Sequence, residues 1–282
     1  MRAMLLVVVP LCACTRHDAT CAVDGEPEVG VMKSLFFSRA EGEVSDGFDL
    51  DGAVTADGAS TGCGVPDYVG SDGTPGVDNA LARILPALDL TEAVAVEGII
   101  QNAINSGELL FMYQLDGLDD PWNDDCVDVT ILRGAGSPTL GTNGKLESGQ
   151  TFDVDPEVAP VVAASAHVVD GVLVASPLEL QIPITIFDVN IDLELHDASF
   201  RMERQETGDY VGMFGGGVVH QVLMDVATGA NVDSRIAGIL QGLLDGNADL
   251  APDDAGRCEQ LSATLKFEST SAFLFEDTDT AD

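Results

Sequence analysis

Apolar and polar residues alternate over long stretches of the chain, and this pattern predicts a protein built mostly of β-strands. A period of two places successive side chains on opposite faces of a strand, so alternation is typical of strands with one buried face. Residues 108–115 form a nearly continuous apolar run instead, which indicates a more deeply buried strand. Further strands are predicted at residues 29–39, 126–133, 151–155, 168–174, 180–202, 210–214 and 261–267.

The alternating run at residues 180–202 is too long for one strand of an ordinary domain. Its apolar parity changes at Ile186–Phe187 and again at His196–Asp197. A one-residue change of phase moves side chains to the opposite face, so each change marks a bulge or a tight bend. We therefore expect two or three strands here, and Asp170-Gly171 predicts a hairpin just before them.

Apolar residues spaced by three and four predict four short helices between the strands. Asp78, Thr91 and Asp233 precede three of them and are the expected N-caps. Residues 215–217 are all glycine and are expected to form a close-packed turn before another helix. Together the elements predict a mostly β fold with a few short helices, a β-sandwich of jelly-roll or lectin-like kind. The helices are predicted at residues 77–88, 92–105, 218–227 and 234–245.

Composition limits the partners that this chain can bind. The 282 residues are 45% hydrophobic, enough for a sizeable core and too apolar for a disordered chain. Lys and Arg number 12 against 48 acids, which gives a net charge of −36. Such a chain repels phosphates, so we expect no nucleic-acid partner and no polybasic contact with a membrane surface.

The N-terminus has the pattern of an export signal. Arg2 precedes a short apolar run, and Leu11-Cys12-Ala13-Cys14 resembles the lipobox of bacterial lipoproteins. By that resemblance Cys14 carries the lipid, and Thr15 after it implies default sorting to the outer membrane. A plain secretory signal and a cytoplasmic chain with a buried N-terminus are the alternatives, and an upstream start codon is an open question. The predicted organisation is a signal (1–13), a lipidated tether (14–27), one β-rich domain (28–275) and an acidic tail (276–282).

If Cys14 carries the lipid, four other cysteines remain in the mature chain, and an exported compartment permits disulfides between them. They allow three pairings, among which the sequence does not choose. No Cys/His arrangement has the spacing of a zinc site. The four disulfide candidates are Cys21, Cys63, Cys126 and Cys258.

Residues 46–79, here the first acidic loop, hold seven aspartates and no Lys or Arg. Asp49 and Asp51 alternate just before Gly52, a pattern that calcium loops use because a hard cation needs several oxygens from a tight turn. An EF-hand is excluded, since its twelfth position counted from Asp49 is Ser60 rather than Glu. An irregular calcium site is predicted, with Asp67, Asp72, Asp78 and Asn79 as later donors; solvated turn residues without an ion are the alternative.

Residues 116–125, here the second acidic loop, hold further aspartates and the only tryptophan. We expect the two loops to share one cation; a second loop that is only a solvated turn is the alternative, and its spacing matches no specific calcium loop. Trp122 is a candidate for stacking on a sugar, with an ordinary packed aromatic as the alternative. The predicted calcium ligands are Asp49, Asp51, Asp72, Asp78, Asp119 and Asp124.

The sequence contains no catalytic motif whose flanking residues support it. Residues 58–62 match G-x-S-x-G, but the flanking segments lack the strand and helix of a nucleophile elbow. The histidines form no metal-binding pair, and the abundance of acids makes any carboxylate pair uninformative. We expect a non-catalytic surface module that binds a glycan or a protein, or that is purely structural. An exported carboxylate-dependent hydrolase and a lipid-binding envelope protein are the alternatives.

Several segments resemble one group of exported proteins. Residues 48–52 (FDLDG), 63–79 (CGVPDYVGSDGTPGVDN), 116–129 (DGLDDPWNDDCVDV) and 248–262 (ADLAPDDAGRCEQLS) are similar, in this order, to predicted lipoproteins of predatory and social soil bacteria. The resemblance covers nearly all of the mature chain. It implies a shared fold and a surface location, and it implies no activity, ligand or catalytic residue.

Overall fold

Antiparallel pairing joins eight strands into a closed barrel in the computed structural model of the chain. The structure describes residues 26–59, 61–89, 96–186, 189–223 and 234–275. The strands are β1 (Glu28–Phe37), β2 (Leu110–Asp116), β3 (Asn123–Ala135), β4 (Gln150–Val154), β5 (Val161–Val169), β6 (Val172–Ile186), β7 (Val189–Arg204), β8 (Tyr210–Val219), β9 (Leu250–Pro252) and β10 (Cys258–Leu274).

The predicted β-sandwich is wrong, because the sheet closes on itself. Around the barrel the order is β1, β2, β3, β5, β6, β7, β8 and β10, and β10 pairs with β8 on one edge and with β1 on the other. β4 lies between β3 and β10, and β9 pairs with β10. Alternation reports only that one face of each strand is buried, and this holds equally for a sandwich and for a barrel.

Aromatic side chains fill the interior of the barrel. The Phe267 ring stacks on those of Phe200 and Phe214, with ring centroids 5.5 and 6.2 Å apart. Tyr113 meets Tyr210 edge to face, at 5.9 Å. Burying each such side chain contributes about 2 kcal/mol. The interior therefore supplies the core that holds the strands together.

The three consecutive glycines lie inside β8, so the predicted turn at residues 215–217 is wrong. A Cβ on Gly215 would lie 2.7 Å from Thr264 Oγ1 and 3.0 Å from the Phe48 ring, and a Cβ on Gly216 would lie 2.8 Å from the carbonyl oxygen of His196. Glycine is needed at these positions because neighbouring atoms occupy the space of a side chain. One of these neighbours, Phe48, belongs to the first acidic loop, so the loop packs closely against β8. Of the predicted helix 218–227, residues 218 and 219 instead belong to β8, residues 220–223 are helical, and residues 224–227 lie outside the described residues.

The long alternating run forms β6 and β7, as the changes of phase predicted. Ile186 pairs with Val189, and the two positions between them lie outside the described residues. The second change of phase is a bulge: the register with β8 shifts between His196 and Ser199, and Asp197 has a positive φ of 49°. The hairpin predicted at residues 170–171 joins β5 to β6.

Among the described residues, the longer helices are α1 (Leu81–Leu88), α2 (Val96–Ser106) and α3 (Ser234–Asp245). α2 contacts β1 and buries Ile100 and Ile104. Asp78 is not an N-cap, since α1 follows Ala80 and has no side-chain cap. The other two expected caps, at positions 91 and 233, fall outside the described ranges.

Within the described residues, no helix has the length and apolar character needed to cross a membrane.

Candidate metal centre

The first acidic loop is packed against the barrel rather than free in solvent. The segment that leads from β1 to the loop is attached at Ser38, whose backbone N–H donates to the Thr264 carbonyl over 2.8 Å. Lys266 forms an ion pair with Asp46, and the Ala80 N–H donates to Ser262 Oγ at 2.7 Å. Residues 262, 264 and 266 alternate along β10 with the interior row that contains Phe267, so the loop covers the outer face of this strand.

A disulfide fixes the middle of the loop to the first residue of β10. Cys63 bonds to Cys258, 195 residues away, with their Cα atoms 5.9 Å apart. Cys126 is also disulfide-bonded. Cys21, the remaining candidate, and Cys14 lie outside the described residues. The Cys63–Cys258 bond therefore selects one of the three possible pairings.

Three carboxylates of the first acidic loop converge. Oxygens of Asp49, Asp51 and Asp78 lie within 4.8 Å of one another, the only such group of three among the described acids and potential ligands. Asp78 is 2% exposed, whereas Asp49 and Asp51 are at the surface. Asp78 Oδ2 accepts hydrogen bonds from the backbone N–H groups of Leu50 (2.7 Å) and Asp51 (3.3 Å). The buried side chain thus folds the Asp49–Asp51 turn around itself.

The electrostatic environment of Asp78 is unfavourable to a free carboxylate. Burial raises its pKa to about 8, although the hydrogen bond from Leu50 opposes the shift. The negative charges of Asp249, Asp51 and Asp67 raise the pKa further. A cation placed among these groups would remove most of this repulsion, because opposite charge favours the ionised form.

Asp249 and Asp67 extend the acidic group behind the three ligand candidates. Asp249 is 4% exposed, and burial raises its pKa to about 6 despite hydrogen bonds from the Ser262 N–H and hydroxyl. Burial also raises the pKa of Asp67, against a hydrogen bond from the Thr55 N–H, and the charges of Asp51 and Asp49 add to this rise. The whole cluster therefore carries more negative charge than its surroundings neutralise.

Calcium fits the chemistry of this cluster. Ca²⁺ takes about six to eight oxygen ligands, from carboxylates, backbone carbonyls and water, in flexible geometry. Asp49 and Asp51 would provide two carboxylates from one tight turn and Asp78 a third from the end of the loop, and water would have access from the side of the two exposed residues. The site is thus suited to a hard divalent cation rather than to zinc, which prefers nitrogen and sulfur.

Asp72 lies apart from the three converging carboxylates. Its Oδ1 accepts a hydrogen bond from the Thr74 N–H at 2.9 Å, and its Oδ2 lies 3.8 Å from an Arg201 nitrogen on β7. Its pKa is lowered, chiefly by the hydrogen bond from Thr74. The structure therefore gives Asp72 a turn and a surface ion pair rather than a place in the cluster.

The second acidic loop is too distant to share a cation with the first, so that prediction is wrong. It follows Asp116, next to Leu115, which pairs with Glu28 at the start of β1. The first loop begins at the other end of β1, and ten strand residues span about 30 Å. Asp124 instead accepts hydrogen bonds from the N–H groups of Asp119 (2.8 Å), Asp120 (3.3 Å) and Cys126 (3.0 Å), and so closes a loop of its own. Asp119 belongs to that same closed loop.

Sequence reasoning missed Asp249 as a member of the cluster. The residue stands between Ala248 and Leu250, both buried. The only local signal was that Asp249 has apolar neighbours on both sides just before a strand. This signal indicates burial, but it does not indicate which loop the side chain contacts. β9 and β10 bring Asp249 to the first acidic loop, about 170 residues away in sequence, through long-range pairing.

Trp122 is exposed, so the alternative of an ordinary core aromatic does not hold. Its side chain is 60% exposed. Its ring lies over the β5–β6 hairpin, where a Cβ on Gly171 would come within 2.9 Å of two ring carbons. The Trp122 N–H donates to Asp120 Oδ1 at 2.8 Å, and the Gly171 N–H donates to the Trp122 carbonyl at 3.0 Å. The backbone is held on both sides while the ring remains accessible.

Comparisons with protein-family models, with curated proteins and with solved structures give no match to this chain.

Proposed function

We propose that the protein is a non-catalytic, exported surface module that binds calcium in its first acidic loop and a glycan at its second. The observation that carries the cation part is the convergence of Asp49, Asp51 and Asp78 within 4.8 Å around a buried carboxylate. A calcium ion would neutralise charges that the fold places together, and it would order the loop that covers β10.

Export to an oxidising compartment is supported by the Cys63–Cys258 disulfide. Structural disulfides persist in secreted and envelope proteins and are rare in the cytosol. In this proposal a lipid on Cys14 anchors the protein to a membrane, most simply the outer membrane. Metabolic labelling with an alkyne-tagged fatty acid tests the anchor: the wild-type chain is expected to take up the label, and Cys14→Ala is expected to lose it. An unlabelled wild-type chain would contradict lipidation.

A binding role is favoured over the hydrolase alternative because the most acid-like carboxylate is not accessible. A general acid must reach the group that it protonates. Asp78 has the raised pKa of such a group, but it is 2% exposed and one of its oxygens accepts two backbone hydrogen bonds. Its arrangement suits a structural ligand rather than a catalyst.

The glycan part of the proposal rests on Trp122. An exposed aromatic ring held by its backbone presents a flat apolar face, and sugars stack on such faces through their C–H groups. Asp120 and Asp124 lie next to the ring in the same loop and could accept hydrogen bonds from sugar hydroxyls. A protein partner that buries the same tryptophan is the competing occupant.

Calcium titration of protein stripped with EDTA tests the cation site. At a calcium concentration of one hundred times Kd, the free energy of unfolding is expected to rise by about 2.7 kcal/mol. Asp49→Asn/Asp51→Asn should abolish this rise, because it removes two of the three ligands. The matched control is Asp57→Asn/Asp120→Asn, which changes the same charge at two exposed positions outside the cluster. An unfolding midpoint that does not respond to calcium or EDTA in the wild type would contradict the site.

A further inference from the structure

The barrel wall has an opening between β5 and β6. These strands pair only through His167–Val174, Val168–Leu173 and Val169–Val172, next to their hairpin. Farther along, the described residues of β5 pair with β3, and those of β6 pair with β7. One edge of each strand thus faces the other across a gap, with backbone N–H and C=O groups that the ladder does not join.

A cavity of about 490 Å³ lies in this opening. Its volume is in the range of natural ligand pockets, about 300–1,000 Å³. Its floor is formed by buried apolar side chains of the barrel interior, and its rim carries polar and charged groups. The floor includes Phe111, Ile131 and Leu180, and the rim includes Glu157, Glu179 and Glu194.

The rim is acidic. Among the charged residues that line the cavity, three are glutamates and one is an arginine. His196 lies beside two of the glutamates, with its Nδ1 2.9 Å from Glu179 Oε2 and its Nε2 3.7 Å from Glu194 Oε2. Together with the net charge of −36, this rim would attract a basic ligand.

Arg133 offers an unused hydrogen-bond donor at the same cavity. Its Nη2 donates to the Glu108 carbonyl, but its Nη1 is buried and has no hydrogen-bond partner. Burial lowers the pKa of Arg133, and the nearby charge of Asp155 only partly opposes this shift. A buried donor without a partner is costly to the fold, so the wall of the cavity at Arg133 is not fully satisfied by the protein itself.

We propose that an extended basic peptide segment binds in this opening and adds a strand between β5 and β6. The strand edges would provide backbone hydrogen bonds, and the period of two would direct alternate side chains to the apolar floor and to the acidic rim. A partner of this kind has apolar and basic residues in alternation. The proposal does not depend on the cation site.

Fluorescence anisotropy with three labelled eight-residue peptides tests the proposal on the full mature chain. The probe alternates Lys and Val; one control alternates Glu and Val, and the other alternates Lys and Pro. The Lys–Pro peptide keeps the charge but lacks the N–H groups that a strand needs. The Lys–Val peptide is expected to bind at least about tenfold more tightly than either control, with and without calcium. Absence of binding, or equal affinity for Lys–Val and Lys–Pro, would overturn the proposal.

Variants of the rim locate the binding. Glu179→Gln/Glu194→Gln is expected to weaken the Lys–Val peptide about tenfold, since each surface charge contributes a few-fold. Glu203→Gln/Glu206→Gln removes the same charge from exposed positions that do not line the cavity, and should leave the affinity unchanged. Amide exchange at residues 161–166 and 175–181 should slow when the peptide binds. Equal losses in both variants, or unchanged exchange in these segments, would place the peptide elsewhere.

Discussion

The two acidic loops have similar compositions and opposite physical environments. In the first, Asp78 is buried among other carboxylates, and burial raises its pKa to about 8. In the second, partial burial also opposes ionisation of Asp124, but hydrogen bonds from the N–H groups of Cys126, Asp119 and Asp120 outweigh it and lower the pKa. In the first loop the carboxylates repel one another. In the second loop, backbone N–H groups stabilise the Asp124 carboxylate. An Asp-rich sequence is therefore a candidate cation site only where the fold withholds other neutralising groups.

The difference arises from what each loop contacts. The first is pressed against β10, where Asp249 and Asp67 add negative charge and Cys63 is bonded to Cys258. The second closes on itself between two strands and remains open to water. The predictions below perturb one loop while the other serves as the reference.

Removing the Cys63–Cys258 bond should have the largest effect. Cys63→Ser/Cys258→Ser is expected to lower the free energy of unfolding by about 5 kcal/mol, since the bond closes a loop of 195 residues. It should also weaken calcium binding, because the first acidic loop loses its attachment to β10. Urea denaturation of the variant and the wild type, each with calcium and with EDTA, measures both effects. A loss below 1 kcal/mol would show that packing alone holds the loop.

The contributions of Asp78 and Asp124 to the free energy of unfolding should change in opposite directions as the pH rises. Because the pKa of Asp78 is raised, its contribution is fully present below the ordinary value of 3.8 and is lost as the pH rises through about 8. Without calcium, the free energy of unfolding should therefore decline as the pH rises from about 4 to about 8. Asp78→Asn should flatten that part of the decline in chemical denaturation.

The reference for this experiment is the second loop. Since the pKa of Asp124 is lowered, its contribution is present above the ordinary carboxyl value and is lost as the pH falls. Asp124→Asn should therefore leave the decline toward high pH intact. If Asp78→Asn and Asp124→Asn gave the same pH profile, the contrast between the loops would not hold.

Asp124→Ala should cost about 1–2 kcal/mol, because three backbone N–H groups lose their acceptor. The neighbouring Asp125→Ala removes the same charge from an exposed side chain and should cost less than about 0.5 kcal/mol. Urea denaturation measures both, and the calcium response should remain unchanged in each. A loss of calcium binding in Asp124→Ala would contradict the separation of the two loops and would favour a cation site shared between them.

Trp122→Ala should have the smallest effect on folding, below about 0.5 kcal/mol, since the side chain is largely exposed. Its expected effect is on recognition: a glycan retained by the wild type on a glycan array should be lost by Trp122→Ala and partly kept by Trp122→Phe, which preserves a ring. Thermal unfolding controls for stability. If Trp122→Ala still bound the glycan, the proposal that a sugar stacks on the Trp122 ring would be wrong.

Local features of the fold were predictable because they depend on neighbouring residues. Alternation located most of the strands but missed most of β5 and all of β9. Asp170-Gly171 indicated the hairpin, and the changes of phase indicated the division into β6 and β7 and the bulge in β7. At the site, the Asp49–Asp51 turn and Asp78 were identified from residue type and spacing. Each of these signals is complete within a few residues, so no knowledge of distant pairing was needed.

Tertiary structure alone decided how these parts meet. Gly30 on β1 pairs with Ser271 on β10, and this contact between the two ends of the domain closes the barrel. The same long-range pairing brings Asp249 to the first acidic loop and places the second loop at the other end of β1. It also brings Phe48 so close to β8 that Gly215 has no room for a side chain. Alternation states that one face of a strand is buried, but the free energy that selects its neighbour comes from side chains far away in sequence.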